Sequence, residues 1–244
     1  MIKLRHTPQM IGVRMTGDSD DFERLYDALH RIVGTEEDAN ISGLGDSRIH
    51  VLSLCYDLRH ARMGHRSAEF QEHGLDAEQM KFLSIVGSTK NLYLSFEIFW
   101  PELLYITFVL NEFIYDYQTQ KQHLWDIHVP IVRAFQHDVL MLIQETVTQR
   151  QFATVRNTAT NRSIFDRGFY ITMYRQYPDY LNMQWCELSK EERIKKLSIF
   201  AKRVTQHTTD YEKFEQDMND AADYHGVSPD ELEYGDYDNL NIEW

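Results

Sequence analysis

Alternating hydrophobic and polar residues predict the β-strands of this chain. Residues 2–6 and 11–16 alternate on either side of a Thr7-Pro8-Gln9 break, which is typical of a hairpin. The clearest alternation lies in residues 91–100, where every second side chain is large and apolar. We expect residues 82–86 to pair with this strand through the intervening GSTKN turn. The pattern therefore predicts a small antiparallel sheet.

Apolar residues at helical spacing account for most of the remaining chain. An Asp20/Glu23 capping box is predicted to open the first helix, and a Ser189/Glu192 capping box a later one. The segment that begins at Pro101 is apolar almost all round, which is typical of a central buried helix. Five or six helices are predicted, with clear patterns at about 22–33, 47–63, 101–117, 129–149 and 190–206.

These elements predict an α+β fold, a small antiparallel sheet packed by five or six helices, with the later half mainly helical. We expect residues 1–207 to form a single domain and residues 208–244 to form an acidic tail, a short amphipathic helix followed by a flexible end. The tail has twelve Asp and Glu against one Lys, a charge of −11 out of the −13 of the whole chain. The body is therefore nearly neutral and the tail is the polyanion.

Several functional classes lack their sequence signals. Cys55 and Cys186 are too few for a disulfide framework and favour a reducing compartment. The N-terminus lacks the pattern of a signal peptide, and charged residues interrupt the most apolar stretch, so we expect a cytoplasmic protein without a membrane span. Gly43 and Gly45 form the only glycine pair resembling a phosphate loop and lack its other residues, so no cofactor is predicted.

The histidines and acidic residues of the central region include the side-chain types that bind metal ions. Imidazole and carboxylate groups suit zinc, iron or manganese. Their spacing matches no metal motif, and Pro130 separates the first three from the helix that carries the others, so no metal is predicted at His123, Asp126, His128, His137 or Asp138.

The segment YDLRHARMGHR, residues 56–66, has the highest density of candidate catalytic groups. Arg59 and His65 resemble the arginine and histidine pair of the HEPN ribonucleases, in which one side chain stabilises phosphate charge and the other assists proton transfer. Arg24/His30 and Arg66/His73 match the same loose pattern, so the motif alone is not specific. Cationic side chains near a helix C-terminus also stabilise the helix dipole without any catalytic role.

Two electrostatic features stand out beside this motif. The first is an arginine surface with interleaved aromatic residues, a composition typical of single-strand binding, although one polar face of a buried segment would look the same. It comprises Arg150, Arg156, Arg162, Arg167 and Arg175. The second is the acidic tail, whose aromatic residues would dock on a basic partner or fold back on the chain, whereas a solubilising tail does not need them. They are Tyr224, Tyr234, Tyr237 and Trp244.

Four segments carry a resemblance to a protein family: HTPQMIGVRMTGDSDDFERLYDALHRIVG, RIHVLSLCYDLRHARMGHR, KFLSIVGSTKNLYLSFEIFWPELLY and LSIFAKRV. Together they resemble bacterial proteins of unknown activity, mostly from Gram-positive species and their mobile elements. The resemblance spans most of residues 1–206 and implies a bacterial cytoplasmic origin and an α+β fold. It implies no catalytic residue.

Two functional hypotheses follow from the sequence. The first is a non-enzymatic interaction or regulatory protein of the immunity, defence or anti-defence type, which binds a protein partner through its acidic aromatic tail. The second is an RNA-acting nuclease with Arg59 and His65 as its site. The high aromatic content also leaves room for a homodimer surface. The absence of a complete catalytic motif favours the first hypothesis.

Overall fold

The computed structural model describes residues 2–35, 44–120, 125–160, 167–233 and 242–244. The sheet has four strands: β1 Lys3–His6, β2 Gly12–Gly17, β3 Ser67–Glu72 and β4 Lys90–Phe99. The α-helices found in these ranges are α1 Ser19–Val33, α2 Gly45–Arg62, α3 Ala77–Phe82, α4 Trp100–Gln120, α5 His128–Thr146, α6 Gln149–Thr160, α7 Arg167–Thr172, α8 Tyr177–Cys186, α9 Lys190–Arg203 and α10 Thr209–His225. The α+β class and the mainly helical later half are confirmed.

The sheet is antiparallel throughout, with the strand order β1-β2-β4-β3. The predicted hairpin is confirmed as β1 and β2, and the predicted strand over residues 91–100 is confirmed as β4. Side chains alternate between the two faces, so Val13, Met15 and Phe96 enter the core, whereas Arg14 and Glu97 form an ion pair on the outer face. The helices therefore pack against one face of the sheet.

The third strand was predicted in the wrong place. Residues 82–86 do not pair with β4, and the strand that does so is β3, Ser67–Glu72. Asp76 and Gln79 form a capping box that starts α3, so residue 82 ends a helix instead of starting a strand. The strand β3 escaped prediction because it lies at the sheet edge and is exposed along most of its length, so it shows no alternation.

The helices differ from the prediction in number and in one cap. The described residues contain ten α-helices instead of five or six, because the later half is divided into short helices. Asp18 and Asp21 form the capping box of α1, so the predicted Asp20/Glu23 box was wrong, whereas the box formed by Ser189 and Glu192 is confirmed.

The helix α4 occupies the centre of the core. Its side chains are buried around the whole circumference, as Leu104, Phe108 and Ile114 illustrate, and its neighbours include α1, α2, α5, α8 and α9. No loop separates it from β4, because Phe99 ends the strand and Trp100 begins the helix. The predicted central buried helix is therefore confirmed, and the sheet runs directly into it.

A buried arginine joins the hairpin to the later helices. The Arg193 guanidinium donates hydrogen bonds to the carbonyl oxygens of Gln9, Trp185 and Cys186, at 2.8 to 3.0 Å. The Trp185 indole N–H donates to the Met10 carbonyl at 3.0 Å. The turn between β1 and β2 is thus held by α8 and α9, far away along the chain.

The amphipathic helix predicted at the start of the tail is present as α10. Tyr211, Phe214 and Met218 are buried, and the Tyr211 ring packs edge-on against Tyr177 of α8 with ring centres 4.9 Å apart. This helix therefore contributes to the same core as the helices before it. The domain boundary at residue 207 stays a prediction.

We predict that Arg193→Met lowers the free energy of unfolding by about 3 kcal/mol, because three buried carbonyls lose a charged donor. Denaturant unfolding measures this change. Lys195→Met on the exposed side of α9 is the matched control and should change stability by less than about 0.5 kcal/mol. Equal stability of the two variants would show that the arginine does not hold the turn.

Candidate functional site

Arg59 lies in the last turn of α2, His65 lies three residues beyond the end of this helix, and both side chains are exposed to solvent. Two other side chains link them. The Arg59 guanidinium carbon lies 5.5 Å from the centre of the Tyr56 ring, and the rings of Tyr56 and His60 are 3.9 Å apart. The Nδ1 atoms of His60 and His65 are 3.1 Å apart. The structure therefore gathers one arginine, one tyrosine and two imidazoles.

The protonation of this group follows from its geometry. An Nδ1 to Nδ1 hydrogen bond needs one donor and one acceptor, so the contact disfavours a state in which both imidazoles are charged. Burial, followed by the charges of His65, Arg59 and Arg66, lowers the pKa of His60. A neutral imidazole beside a guanidinium is able to accept a proton, which is the role of a general base.

The other arginines of YDLRHARMGHR have structural partners. Arg62 forms an ion pair with Glu23 of α1 at 2.7 Å, and Arg66 forms one with Asp57 at 2.6 Å. These contacts attach α2 to α1 and fix the chain as it enters β3. For Arg59 the described part of the chain provides no carboxylate partner.

Arg59 also lines a pocket of about 430 Å³ between α1 and α2, which we call the α1–α2 pocket. Sequence reasoning treated His30 only as a second match to a loose motif, yet the pocket contains both His30 and Arg59. The sequence did not predict the pocket because its two walls come from different helices, and no sequence motif includes residues of both. Its lining residues are Tyr26, His30, Thr35, Leu52, Cys55, Tyr56 and Arg59.

The predicted arginine surface is only partly described. Arg150 and Arg156 are exposed on α6, and Arg175 is exposed before α8. Arg162 lies outside the described residues, and Arg167 begins α7. Phe169 and Tyr170 between them belong to the core, so these rings are not available for base stacking. Phe152 and Arg156 do share a groove of about 450 Å³ beside α6.

The aromatic residues of the tail lie in different surroundings. Tyr224 is exposed on α10, whereas Tyr234 and Tyr237 lie outside the described residues. The Trp244 ring packs against Phe99 of β4, with ring centres 4.9 Å apart. The last residue of the chain therefore contacts the outer face of the sheet and not the arginine surface.

Two of the possible metal ligands, Asp126 and His128, contact each other at the start of α5. The Asp126 carboxylate accepts hydrogen bonds from the Tyr117 hydroxyl and from the backbone N–H of His128 at 2.7 Å, which caps the start of α5. His123 lies outside the described residues. Within the described ranges no three His, Cys, Asp or Glu side chains are grouped as metal ligands.

A second titratable group that the sequence did not reveal is Glu102, near the start of α4. Its carboxylate accepts a hydrogen bond from the Ser53 hydroxyl of α2 at 2.9 Å. Burial raises the pKa of Glu102 to about 7, the Ser53 hydrogen bond opposes this rise, and the charges of Asp179 and Asp57 add to it. The carboxyl therefore titrates near neutral pH. No spacing pattern could show this, because Ser53 and Glu102 are distant in sequence.

We predict that this carboxyl makes stability depend on pH. The folded chain holds the Glu102 proton up to about pH 7, whereas an ordinary glutamate releases it near 4.5. The free energy of unfolding should therefore fall by about 1 to 3 kcal/mol as the pH rises through this interval. Thermal unfolding of Glu102→Gln should show a weaker fall and a higher Tm than the parent above pH 7. The exposed Glu145→Gln is the control, and a parallel pH profile for Glu102→Gln would contradict the assignment.

Among the helices of the described ranges, none has the length and apolar character required to cross a membrane. No curated protein and no solved structure matches the chain. One family matches residues 2–244, which is the whole chain after the first methionine. The protein belongs to the family described as Domain of unknown function (DUF6904).

Proposed function

We propose that this chain is a non-enzymatic interaction protein that binds a protein partner through residues 67–92, the β3–β4 segment. The supporting observation is the exposure of six large apolar side chains in this one segment. Phe82 is 88% exposed and Val86 is fully exposed. The six are Phe70, Phe82, Leu83, Ile85, Val86 and Leu92.

Folding of the single chain does not account for this segment. Met80 is its only hydrophobic side chain in the buried class within the described residues. A large apolar side chain left fully exposed forgoes about 1.5 to 3 kcal/mol of burial energy, and concentrated exposure of this kind marks interaction surfaces. The edge strand β3 adds backbone groups to which another chain can bind.

The charge of the segment indicates the chemistry of the partner. Residues 67–92 contain four acidic and two basic residues, a net charge of −2. A partner with an apolar groove and a basic rim would complement both features. The acidic tail with exposed Tyr224 would add a second electrostatic contact. We place this activity in the bacterial cytoplasm, among regulators of mobile elements and proteins of immunity, defence or anti-defence.

We predict that Val86→Asp abolishes partner binding without unfolding the chain, because a charge replaces an exposed apolar contact. Chemical cross-linking in a bacterial extract measures which proteins the variant and the parent chain bind. Trp125→Asp is the matched control, since Trp125 is 91% exposed outside the segment. Sedimentation separately tests a homodimer. Identical partners and identical self-association for all three proteins would refute the proposed surface.

A second candidate is an RNA-acting nuclease that uses Arg59 and His65. The observation in its favour is the contact between His60 and His65, which supplies an acid and base pair beside a guanidinium. Of the described residues of this constellation, Tyr56 and Arg59 line the α1–α2 pocket but His60 and His65 do not, whereas a nuclease site brings its acid, its base and its guanidinium to one phosphate. We rank it second for that reason.

If the chain cleaves labelled single-stranded RNA, we predict that His65→Ala lowers the cleavage rate about a hundredfold. His73→Ala is the control, because His73 fits the same sequence pattern but binds the Ser88 carbonyl at 2.9 Å. Equal losses in both variants would contradict a specific role of His65, and no cleavage by the parent chain would exclude the nuclease.

A further inference from the structure

The α1–α2 pocket has a composition that the interaction surface does not explain. Its volume of about 430 Å³ falls within the range of small-molecule sites. One wall comes from α1 with Tyr26 and His30, and the other from α2 with Leu52, Tyr56 and Arg59. None of the lining residues that the structure describes is acidic, in a chain whose net charge is −13.

Planar side chains dominate the two walls. The rings of Tyr26 and His30 contact each other at 4.4 Å between centres. Tyr56 on the opposite helix is 50% exposed, so its ring remains accessible from the pocket mouth. Flat rings on both walls favour a flat ligand, because stacking gains contact area at little cost in side-chain entropy.

Among the lining residues that the structure describes, only Arg59 carries a charge that does not depend on pH. Its neighbours Arg62 and Arg66 are neutralised by ion pairs, whereas the described residues offer Arg59 only the Tyr56 ring and nearby imidazoles. Burial, opposed by Asp27 and assisted by Arg59, lowers the pKa of His30. At neutral pH His30 is therefore a hydrogen-bonding group and not a second cation.

The thiol in the pocket is not a nucleophile. Cys55 is buried, and burial raises the pKa of its thiol to about 12. Only the thiolate is reactive, so this side chain acts as a small apolar contact. The pocket is built to bind and not to form a covalent bond.

We propose that the α1–α2 pocket binds one nucleotide, either free or at the end of a single RNA strand, with Arg59 on the phosphate and the base against Tyr26, His30 and Tyr56. The guanidinium fork matches phosphate oxygens, and the rings accept any base. This site is separate from the β3–β4 segment, so the failure of one proposal leaves the other intact.

Calorimetric titration of the full chain with 5′-AMP, adenosine and inorganic phosphate tests the proposal. We expect 5′-AMP to bind at least about tenfold more tightly than either fragment, since both the ring and the charge contribute. A trinucleotide with a 5′-phosphate identifies the source, because tighter binding than 5′-AMP indicates an RNA end and equal binding indicates a free nucleotide. Inorganic phosphate that binds as tightly as 5′-AMP would overturn the nucleotide assignment.

Two variants with matched controls locate the ligand. Arg59→Gln should raise the Kd for 5′-AMP about tenfold or more, whereas the exposed Arg24→Gln, with the same change of charge, should raise it less than about twofold. Tyr56→Ala should also raise the Kd about tenfold, with Tyr115→Ala, 45% exposed on α4, as its control. Equal losses in Arg59→Gln and Arg24→Gln, or no saturable binding by the parent chain at millimolar 5′-AMP, would refute the site.

Discussion

The structure depends on one constraint, which is that α4 is apolar around its whole circumference and has to be covered on every side. The strand β4 continues into it without a loop, so the sheet covers one side, and helices from both halves of the chain cover the others. Over residues 103–110 every side chain is buried, so this part of the helix has no solvent face to orient it. Its few polar side chains therefore lie at defined contacts, as in the hydrogen bond that the Asn111 amide donates to the Ala159 carbonyl at 3.1 Å.

The sequence predicted those elements whose environment repeats along the chain. The strand β4 alternates because one of its faces is buried, and α1 shows a helical period because one stripe enters the core. Both were found, as was α4. The strand β3 was missed because an exposed edge strand has no burial pattern to display, and residues 82–86 misled because their apolar side chains face solvent instead of a core. Hydrophobic periodicity arises from the burial of one face of an element, so it does not predict elements such as β3 that are exposed on both faces.

The candidate site was less predictable because it depends on contacts across elements. Along the chain, Arg59 was paired with His65 and Arg24 with His30, since a motif compares only residues a few positions apart. In the folded chain His30 and Arg59 line the same pocket, whereas His65 contacts His60. The acidic tail shows the same limit, because its amphipathic helix was predicted, whereas the packing of α10 against Tyr177 of α8 was not. The sequence therefore identified the residue types of the candidate site, but it did not show which of these residues contact one another in the folded chain.

The helix α2 concentrates this chemistry because three elements contact it on different sides. Leu54 and Leu58 enter the core, Tyr56 and Arg59 face the pocket beside α1, and Ser53 donates its hydrogen bond to Glu102 of α4. A ligand that displaced α2 would alter the Ser53 to Glu102 hydrogen bond and with it the carboxyl pKa. Linkage requires the reverse effect as well, so the Glu102 proton would change the affinity of the pocket by the same factor. A change in the pKa of Glu102 would consequently reveal a movement of α2.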